Sequence, residues 1–581
     1  MKAVDQFVNE CETKVREIVT AMGAPADVKI VKEIPDNADL AIPCFTFAKP
    51  LKMAPVAIAE KIASEMKLPC GIIAGVKPLN GYLNFDIDSS ALITDLLEEV
   101  VEKGADFGKS APTGIRVNVE HTSTNPTGPV HVGRARNPII GDTLARCLRM
   151  RGHDVTTEYY VNDVGKQVVM MSWAVANVTP EEVQKEIEET EKADDRDKVD
   201  HRLVFNYRVA NKKVFQVPEM EAEIAEILRK FEAGDQPTID HVKKVAETML
   251  GGINESLASI NVKLDRYTWE STFIANGAAK DVVRRLQNTP YSGKTEDGAS
   301  YVDLKDFGIH GKNTKFTFTR ADGTTLYTTR DLAYHEDKFS RADRVIDVLG
   351  EDQKLGSQQL IAALQIMGRT EKPEPLFYAF VSLPEGRMST RKGVVVYLDD
   401  LVDEAIDRAY EEVKSRRSDL SEESMRAIAR AVGVGAVRYN IVRVGADKQF
   451  VFSWQEALSF DGNSGPYLQY VHARACSLLK KAGDFEWDTD GSKLTDEYEI
   501  KLAKALSKFE GVLKEIDESK RVNMLPAYGH EVAAVFNQFY AAVPVLQAGE
   551  GRNARLTLVQ ATKVVLKNVL DCLGMEAPEE M

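Results

Sequence analysis

The sequence predicts an α/β protein: a doubly wound parallel sheet, preceded by a smaller α/β unit and followed by an all-helical bundle. Three observations carry this. From residue 115 strand-like and helix-like segments alternate, the pattern of parallel strands joined by crossover helices. From about residue 421 apolar residues recur at spacings of three and four with few strand signals, the pattern of packed helices. Before about residue 108 both patterns occur within one shorter stretch. The expected units are therefore 1–112, 113–420 and 421–581, each long enough to bury a core of its own.

Taken in order, the first unit has helical periodicity at 1–22, 54–66 and 91–103 and strand candidates in "DVKIVKEI" and "GYLNFDID". The small and turn-forming residues of "GKSAPTG" (108–114) mark a linker. In the second unit "IRVNVEH" and "DVTTEYYV" read as strands flanking a helix at 136–151. "RVIDVLG" (344–350) and "PLFYAFVSL" (375–383) are two more, with a helix at 355–368 between them. An insertion is expected at about 165–315; its run "PEEVQKEIEETEKADDRDKVD" reads as a solvated helix face. The third unit holds "AIARAVGVGAVRYNIVRV", "PYLQYVHARACSLLKKA", "DEYEIKLAKALSKFEGVLKEI", "PAYGHEVAAVFNQFYAAVPVL" and "RLTLVQATKVVLKNVLDCLG", all with helical spacing.

Composition narrows the class. The chain is 44% hydrophobic and 28% charged, and it contains no apolar run long enough to cross a bilayer. The opening "MKAVDQFVNECETKVREIV" is amphipathic and of mixed charge, unlike a secretory or transit sequence. Six Cys without a CxxC and nine scattered His argue against a disulfide framework and against a structural metal such as zinc. A reduced, cytoplasmic setting is expected. The net charge of −15 excludes a protein that coats nucleic acid indiscriminately, but not one that binds RNA through a local patch.

Two segments carry chemistry. "EHTSTNPTGPVHVGRARNPIIGDTLARCLRM" (120–150) crosses from strand to helix with His131, Gly133 and Arg134 at the helix mouth. Unpaired backbone N–H groups and the positive end of the helix dipole attract an anion there; Gly133 lets a ligand approach, and His131 can donate to a phosphate oxygen. The second, "LPEGRMSTRKGVVVYLDDLVDEA" (383–405), has Gly386 and Gly393 bracketing Arg387, Met388, Ser389, Thr390, Arg391 and Lys392. Three cations and two hydroxyls in a Gly-bounded loop suit a polyphosphate. Both follow strands of the same sheet, so they face the crevice where doubly wound sheets bind nucleotides.

This pairing resembles the two signatures of class I aminoacyl-tRNA synthetases, written HIGH and KMSKS, here "HVGR" and "RMSTR". Within that class "NPTGPVHVGRARNPIIGDTLAR", "YYVNDVGKQ", "TRADGTTLYTTRDLAYHEDKF", "GPYLQYVHARA" and the ending "LGMEAPEEM" resemble the arginyl-tRNA synthetase family. The resemblance runs from "LAIPCFTFAK" near residue 40 to the last Met. It implies a Rossmann-type catalytic domain that activates L-arginine with ATP and Mg²⁺, releases pyrophosphate, and passes the arginyl group to the terminal ribose of tRNA(Arg). It further implies that tRNA must be bound before activation. Because the arginine carboxylate attacks the α-phosphorus, the protein need supply no nucleophile; it aligns reactants and stabilises phosphate charge. His131, with backbone N–H groups near Gly133, is the expected stabiliser, and the 387–392 loop is expected over the β- and γ-phosphates.

A guanidinium is planar, permanently charged and donates five hydrogen bonds, so selecting it requires carboxylates placed for paired contact. "LYTTRDLAYH" sets Tyr327 and Asp331 four apart, one turn of a helix. The resemblance implies that both contact the guanidinium, that Glu120 and Asn125 lie where the family binds the substrate's polar ends, and that Gln353 is another arginine-contacting position. Read without it, Asp331 could pair with Arg330 and Tyr327 could be core. For tRNA, Tyr82 and Asn84 share one strand face, and the family's N-terminal domain meets the outer corner of tRNA. Tyr467, Tyr470 and Arg474 share a helix face in the bundle that reads the anticodon in the family, or the two Tyr are buried at a junction. A monomer without membrane contact is expected.

Two signature positions depart from the family. The fourth HIGH residue is Arg134 instead of His, and the fourth KMSKS residue is Thr390 instead of Lys. Many relatives lacking that Lys carry one just before HIGH, where this chain has Gly128; a compensating cation must come from Arg134, Arg391, Lys392 or elsewhere. Two other readings fit the same motifs: a class I synthetase for another amino acid, and a synthetase-like RNA-binding protein without catalysis.

Overall fold

Five strands form the central sheet: Arg116–Glu120, Asp154–Val161, Arg266–Trp269, Arg344–Gly350 and Glu374–Tyr378. Numbered along the chain, they lie side by side in the order 5-4-1-2-3, and every neighbouring pair is parallel. The order reverses between the first and fourth strands, which opens a crevice beyond their C-terminal ends. The computed structural model describes every residue except 34, 36–37, 191–195, 215, 312–313, 383–396, 461 and 548.

Strands buried on both faces need cover on both. The Arg136–Met150 helix lies against the sheet, burying Ile139, Ile140, Leu144 and Leu148. The Tyr327–Arg341 and Lys354–Ile366 helices precede and follow the fourth strand. Within 165–315 the described residues first form five helices, from Lys166–Asn177 to Gln236–Ser259, and then return to the sheet at Arg266–Trp269. That strand is four residues long and only half-buried, so it leaves little trace in the hydrophobic pattern. A three-stranded antiparallel sheet, Ser292–Lys294, Ser300–Asp303 and Lys315–Thr317, follows it.

In the N-terminal unit Tyr82–Ile87 is the central strand between Leu40–Pro43 and Ile73–Leu79. "DVKIVKEI" does not form the expected strand. Arg16 takes the carbonyls of Ala26 and Val28, and among the described residues of this stretch only Glu33 bridges Ala41. The Ser89–Lys103 helix joins this unit to the rest: Leu92 belongs to the N-terminal core, whereas Ile93, Leu96, Leu97 and Val100 belong to the large central one.

That central core runs without a break from the sheet into the C-terminal helices, including Leu144, Val437, Leu468, Phe536 and Leu566. One polar tie crosses it. Fully buried Arg438 donates to Asp142 (2.6 Å) and to the carbonyls of Ile260 (2.6 Å) and Leu573 (2.5 Å), so it links the Arg136–Met150 and Glu422–Val442 helices to the chain's last turn. Gly574 beside it has φ +68°, and a Cβ there would lie 2.2 Å from the guanidinium. Among the described residues no helix is long and apolar enough to cross a membrane.

Candidate active site

The C-terminal ends of four sheet strands converge on a cavity of about 200 Å³. Glu120 ends the first strand, Tyr160 and Asn162 stand at the end of the second, Glu270 follows the third, Leu349 stands near the end of the fourth and Gln353 follows it. The Tyr327–Arg341 helix adds Tyr327, Asp331 and His335 from one face, as spacings of four require. All five residues expected at an arginine site, Glu120, Asn125, Tyr327, Asp331 and Gln353, line this cavity.

Its electrostatics are set by two buried cations and a histidine. Lys338 donates to Glu120 (2.5 Å) and Asp347 (2.7 Å). Burial lowers the lysine's pKa, but the two carboxylates outweigh it and raise it well above the usual range. Burial pushes Glu120 up against the pull of Lys338. Arg330 pairs with Glu270 and donates to the Thr325 carbonyl at 2.7 Å; burial still pushes Glu270 up to about 7. His335 lies between Asp347 (3.0 Å) and Asp331 (3.0 Å); burial and Lys338 oppose its protonation, but these two carboxylates raise it to about 10.

Asp331 is thus the exception. Arg330 turns away to Glu270, so the sequence-level pairing of Asp331 with Arg330 is not formed. Oδ1 of Asp331 faces His335, and among the described residues Oδ2 takes no hydrogen bond. Tyr327 is 59% exposed and hence is not core. Glu270, His335, Lys338 and Asp347 were not singled out in the sequence. Asp331, His335 and Lys338 follow Tyr327 at steps of four, four and three, a spacing that marks one helix face; Glu270 has no such local signal.

At the helix mouth, Val132–Arg134 is a single 3₁₀ turn, and the α-helix starts at Arg136. Nδ1 of His131 accepts from the Gly133 N–H at 3.1 Å, so the neutral ring carries its proton on Nε2. Gly133 is buried and Arg134 exposed. Arg136, two residues further, is fully buried and donates to the carbonyls of Ala379 (2.9 Å), Lys448 (2.7 Å), Val444 (3.0 Å) and Gly445 (2.9 Å). It fastens the helix to the next unit.

Met388, Ser389, Arg391 and Lys392 lie outside the described residues. The flanks of their segment do not. Val381–Ser382 pairs in parallel with Phe450–Val451. Tyr397 forms an antiparallel bridge with His131, and the Leu398 N–H donates to the Val130 carbonyl at 2.8 Å. The second signature segment therefore ends on the first.

Three family models match the chain: "tRNA synthetases class I (R), catalytic domain" over residues 96–454, "DALR anticodon binding domain" over 468–581, and "Arginyl tRNA synthetase N terminal domain" over 9–87. The arginine–tRNA ligase of Methanocella arvoryzae is 45% identical over 96% of both chains. That of Methanosarcina barkeri is 42% identical over 96% of both. The chain belongs to the arginyl-tRNA synthetase family. It is an arginine–tRNA ligase of class I, with a Rossmann-like catalytic sheet. The Thermus thermophilus arginyl-tRNA synthetase shares its fold at a TM-score of 0.81 and 29% identity, covering 99% of this chain and 100% of that one.

Synthetases must also hold tRNA, and the residues expected to do so occupy two places. On the Tyr82–Ile87 strand Tyr82 and Asn84 face outward while Leu83, Phe85 and Ile87 are buried. The Tyr82 ring meets the edge of exposed Phe45 at 5.4 Å. On the Gly465–Ala482 helix Tyr470 is exposed, and the Arg474 guanidinium lies 4.8 Å from its ring and 5.1 Å from that of Tyr540. These three, with Lys480, Lys481 and Lys563, line a groove of about 720 Å³. Tyr467 is set apart: half-buried, it accepts from Asn537 at 2.9 Å and packs near His530.

Proposed function

We propose that the 200 Å³ cavity is the arginine site, with Tyr327 and Asp331 receiving the guanidinium and Glu120, Asn125 and Gln353 the polar end. The observation that carries this is the cavity's lining: the five residues that the resemblance implied meet there, and among the described residues Oδ2 of Asp331 takes no hydrogen bond. His131 and the backbone at Gly133 stabilise the phosphates of ATP, supplied with Mg²⁺ as substrate. Arg134 adds a permanent charge, and Met388, Ser389, Arg391 and Lys392 belong to the loop that covers the β- and γ-phosphates. The bridge from Tyr397 to His131 supports bringing the two segments to one nucleotide.

Tyr82 and Asn84 contact the tRNA corner, and Tyr470 and Arg474, with Tyr467 behind them, the anticodon loop; an exposed aromatic beside a guanidinium in a basic groove supports stacking of an unpaired base. We read the units as 1–112, 113–420 and 421–581, and the enzyme as a cytoplasmic monomer without a structural metal. Among the described residues Asp200, His201 and Asp399 bring ligand atoms within 4.8 Å of one another, but the Lys198 ammonium already donates to Asp399 at 2.7 Å. ATP–pyrophosphate exchange measured with each of the twenty amino acids, with and without tRNA(Arg), tests the reading. Exchange specific to arginine supports it, and exchange with another amino acid or with none refutes it.

A further inference from the structure

The helices between the second and third strands have no assigned part in the reaction, yet one of them touches both flanks of the signature pair. The Val199–Val214 helix carries His201, Val204 and Arg208 at steps of three and four, hence on one face. Nε2 of His201 lies 2.7 Å from Asp399 Oδ2, and its ring meets the Tyr397 ring edge-on at 5.0 Å. Arg208 donates to the Tyr397 hydroxyl at 3.0 Å. Val204 sits where a Cβ on Gly128 would come within 3.1 Å of it. Lys198 and Ser256, from either side, donate to the same Asp399 oxygen at 2.7 and 3.0 Å. Arg196 pairs with Asp400 and Asp403, each at 2.6 Å.

These contacts converge on the two residues that receive the second signature segment. Tyr397 is also the bridge partner of His131, and in an antiparallel bridge the paired side chains share a face, their Cβ atoms about 5 Å apart. We propose that the Val199–Val214 helix is a positioning element for adenylate formation: Arg208 and His201 hold Tyr397, and Tyr397 holds His131 at the phosphates. The inference rests on the reading of His131 given above. An apolar clamp would serve mere cohesion equally well; directional polar contacts select one geometry. Among the described residues no carboxylate pairs with Arg208, whose donor goes instead to the hydroxyl of the anchor. Placement matters because a displacement of about 1 Å at a catalytic group can cost on the order of 10²-fold in rate.

The test uses the full-length enzyme with tRNA(Arg) and follows ATP–pyrophosphate exchange. Tyr397→Phe and Arg208→Ala, singly and together, are made in the wild type and in a His131→Ala background, with melting midpoints recorded. Each single substitution is expected to lower kcat about tenfold, with KM for arginine and ATP within about twofold, and the double variant to match the singles. Arg208→Lys, which restores an N–H donor, should recover most of the loss. In the His131→Ala background the same changes should alter kcat by less than about twofold. A full tenfold loss in that background, wild-type kcat in both singles, or a parallel rise in the KM for arginine overturns the proposal. If Arg208→Ala does not fold, Tyr397→Phe, which removes a single oxygen, decides alone. A His131→Ala enzyme with wild-type kcat refutes the phosphate reading itself, and the positioning role falls with it.

Discussion

Replacing Asp331 by Asn removes one charge from the proposed guanidinium site and one of the two carboxylates that favour a protonated His335. The substituted amide still presents an oxygen to Nδ1 of His335, now 3.0 Å from Oδ1, so the ring keeps an acceptor. The other carboxylates of the cavity are already engaged, Glu120 and Asp347 by Lys338 and Glu270 by Arg330, and cannot replace the missing charge without breaking those bonds. A guanidinium about 4 Å from a carboxylate gains roughly 4 kcal/mol at the effective dielectric typical of protein sites. Losing the partner of a buried charge costs about 3–5 kcal/mol. Asp331 is 31% exposed, so water screens part of this, and about 3 kcal/mol is the expected loss. That corresponds to a fall on the order of 10²-fold in kcat/KM for arginine, with the KM for ATP and the melting midpoint held near wild type. Exchange assays titrating arginine at saturating ATP and tRNA(Arg) read it directly. An arginine kcat/KM within twofold of wild type would remove Asp331 from the site.

Four more outcomes are expected. His131→Ala should lose roughly 10²–10³-fold in kcat, the range for one transition-state donor, with a smaller change in the KM for ATP. Arg134→Ala should mainly raise that KM, because Arg134 is exposed and its charge acts alike in ground and transition states; wild-type ATP titrations for both would show the helix mouth to be inert. Pyrophosphate exchange should be negligible until tRNA(Arg) is added, and robust exchange in RNA-free enzyme contradicts the expected dependence. Arg438→Met should destabilise the fold by about 3–5 kcal/mol, because buried Asp142 keeps only Arg146 (2.7 Å) and the Ile260 and Leu573 carbonyls lose a donor, whereas Arg438→Met with Asp142→Leu should recover part of that. Denaturation midpoints of the wild type and the two variants decide it, and a single variant as stable as wild type refutes the tie between the units.

What the sequence shows of this enzyme, and what it hides, follows from the distance over which each feature is encoded. The strands 116–120 and 344–350 and the helix 136–150 repeat their apolar residues locally, and a repeat of two or of three and four is visible in any window of ten residues. The proposed arginine site was legible through the resemblance and not through spacing: Tyr327 and Asp331 stand four apart, but read without the family Asp331 could equally pair with Arg330 and Tyr327 be core. Arg136 shows the opposite case. In "HVGRAR" it reads as another surface cation beside the signature, yet it is fully buried, and its four carbonyl acceptors lie 243 to 312 residues further along the chain. Nothing near position 136 distinguishes it from exposed Arg134. The bundle's Tyr467 and Tyr470 divide on finer grounds: three residues apart on a helix, they differ by about 60° in direction, which is enough to turn one toward Asn537 and His530 and the other to the basic groove. A helix face can be read from spacing, but which edge of that face meets solvent is decided by the partner packed against it. That partner, the Met524–Ala542 helix bearing Asn537 and Tyr540, lies more than fifty residues away in sequence. The same logic explains Asp399: its carboxylate follows the signature segment directly, whereas Lys198 and His201, which engage it, come from about two hundred residues earlier. Chemistry carried by short motifs is therefore visible in the chain, while the contacts that orient those motifs become visible only when distant segments meet.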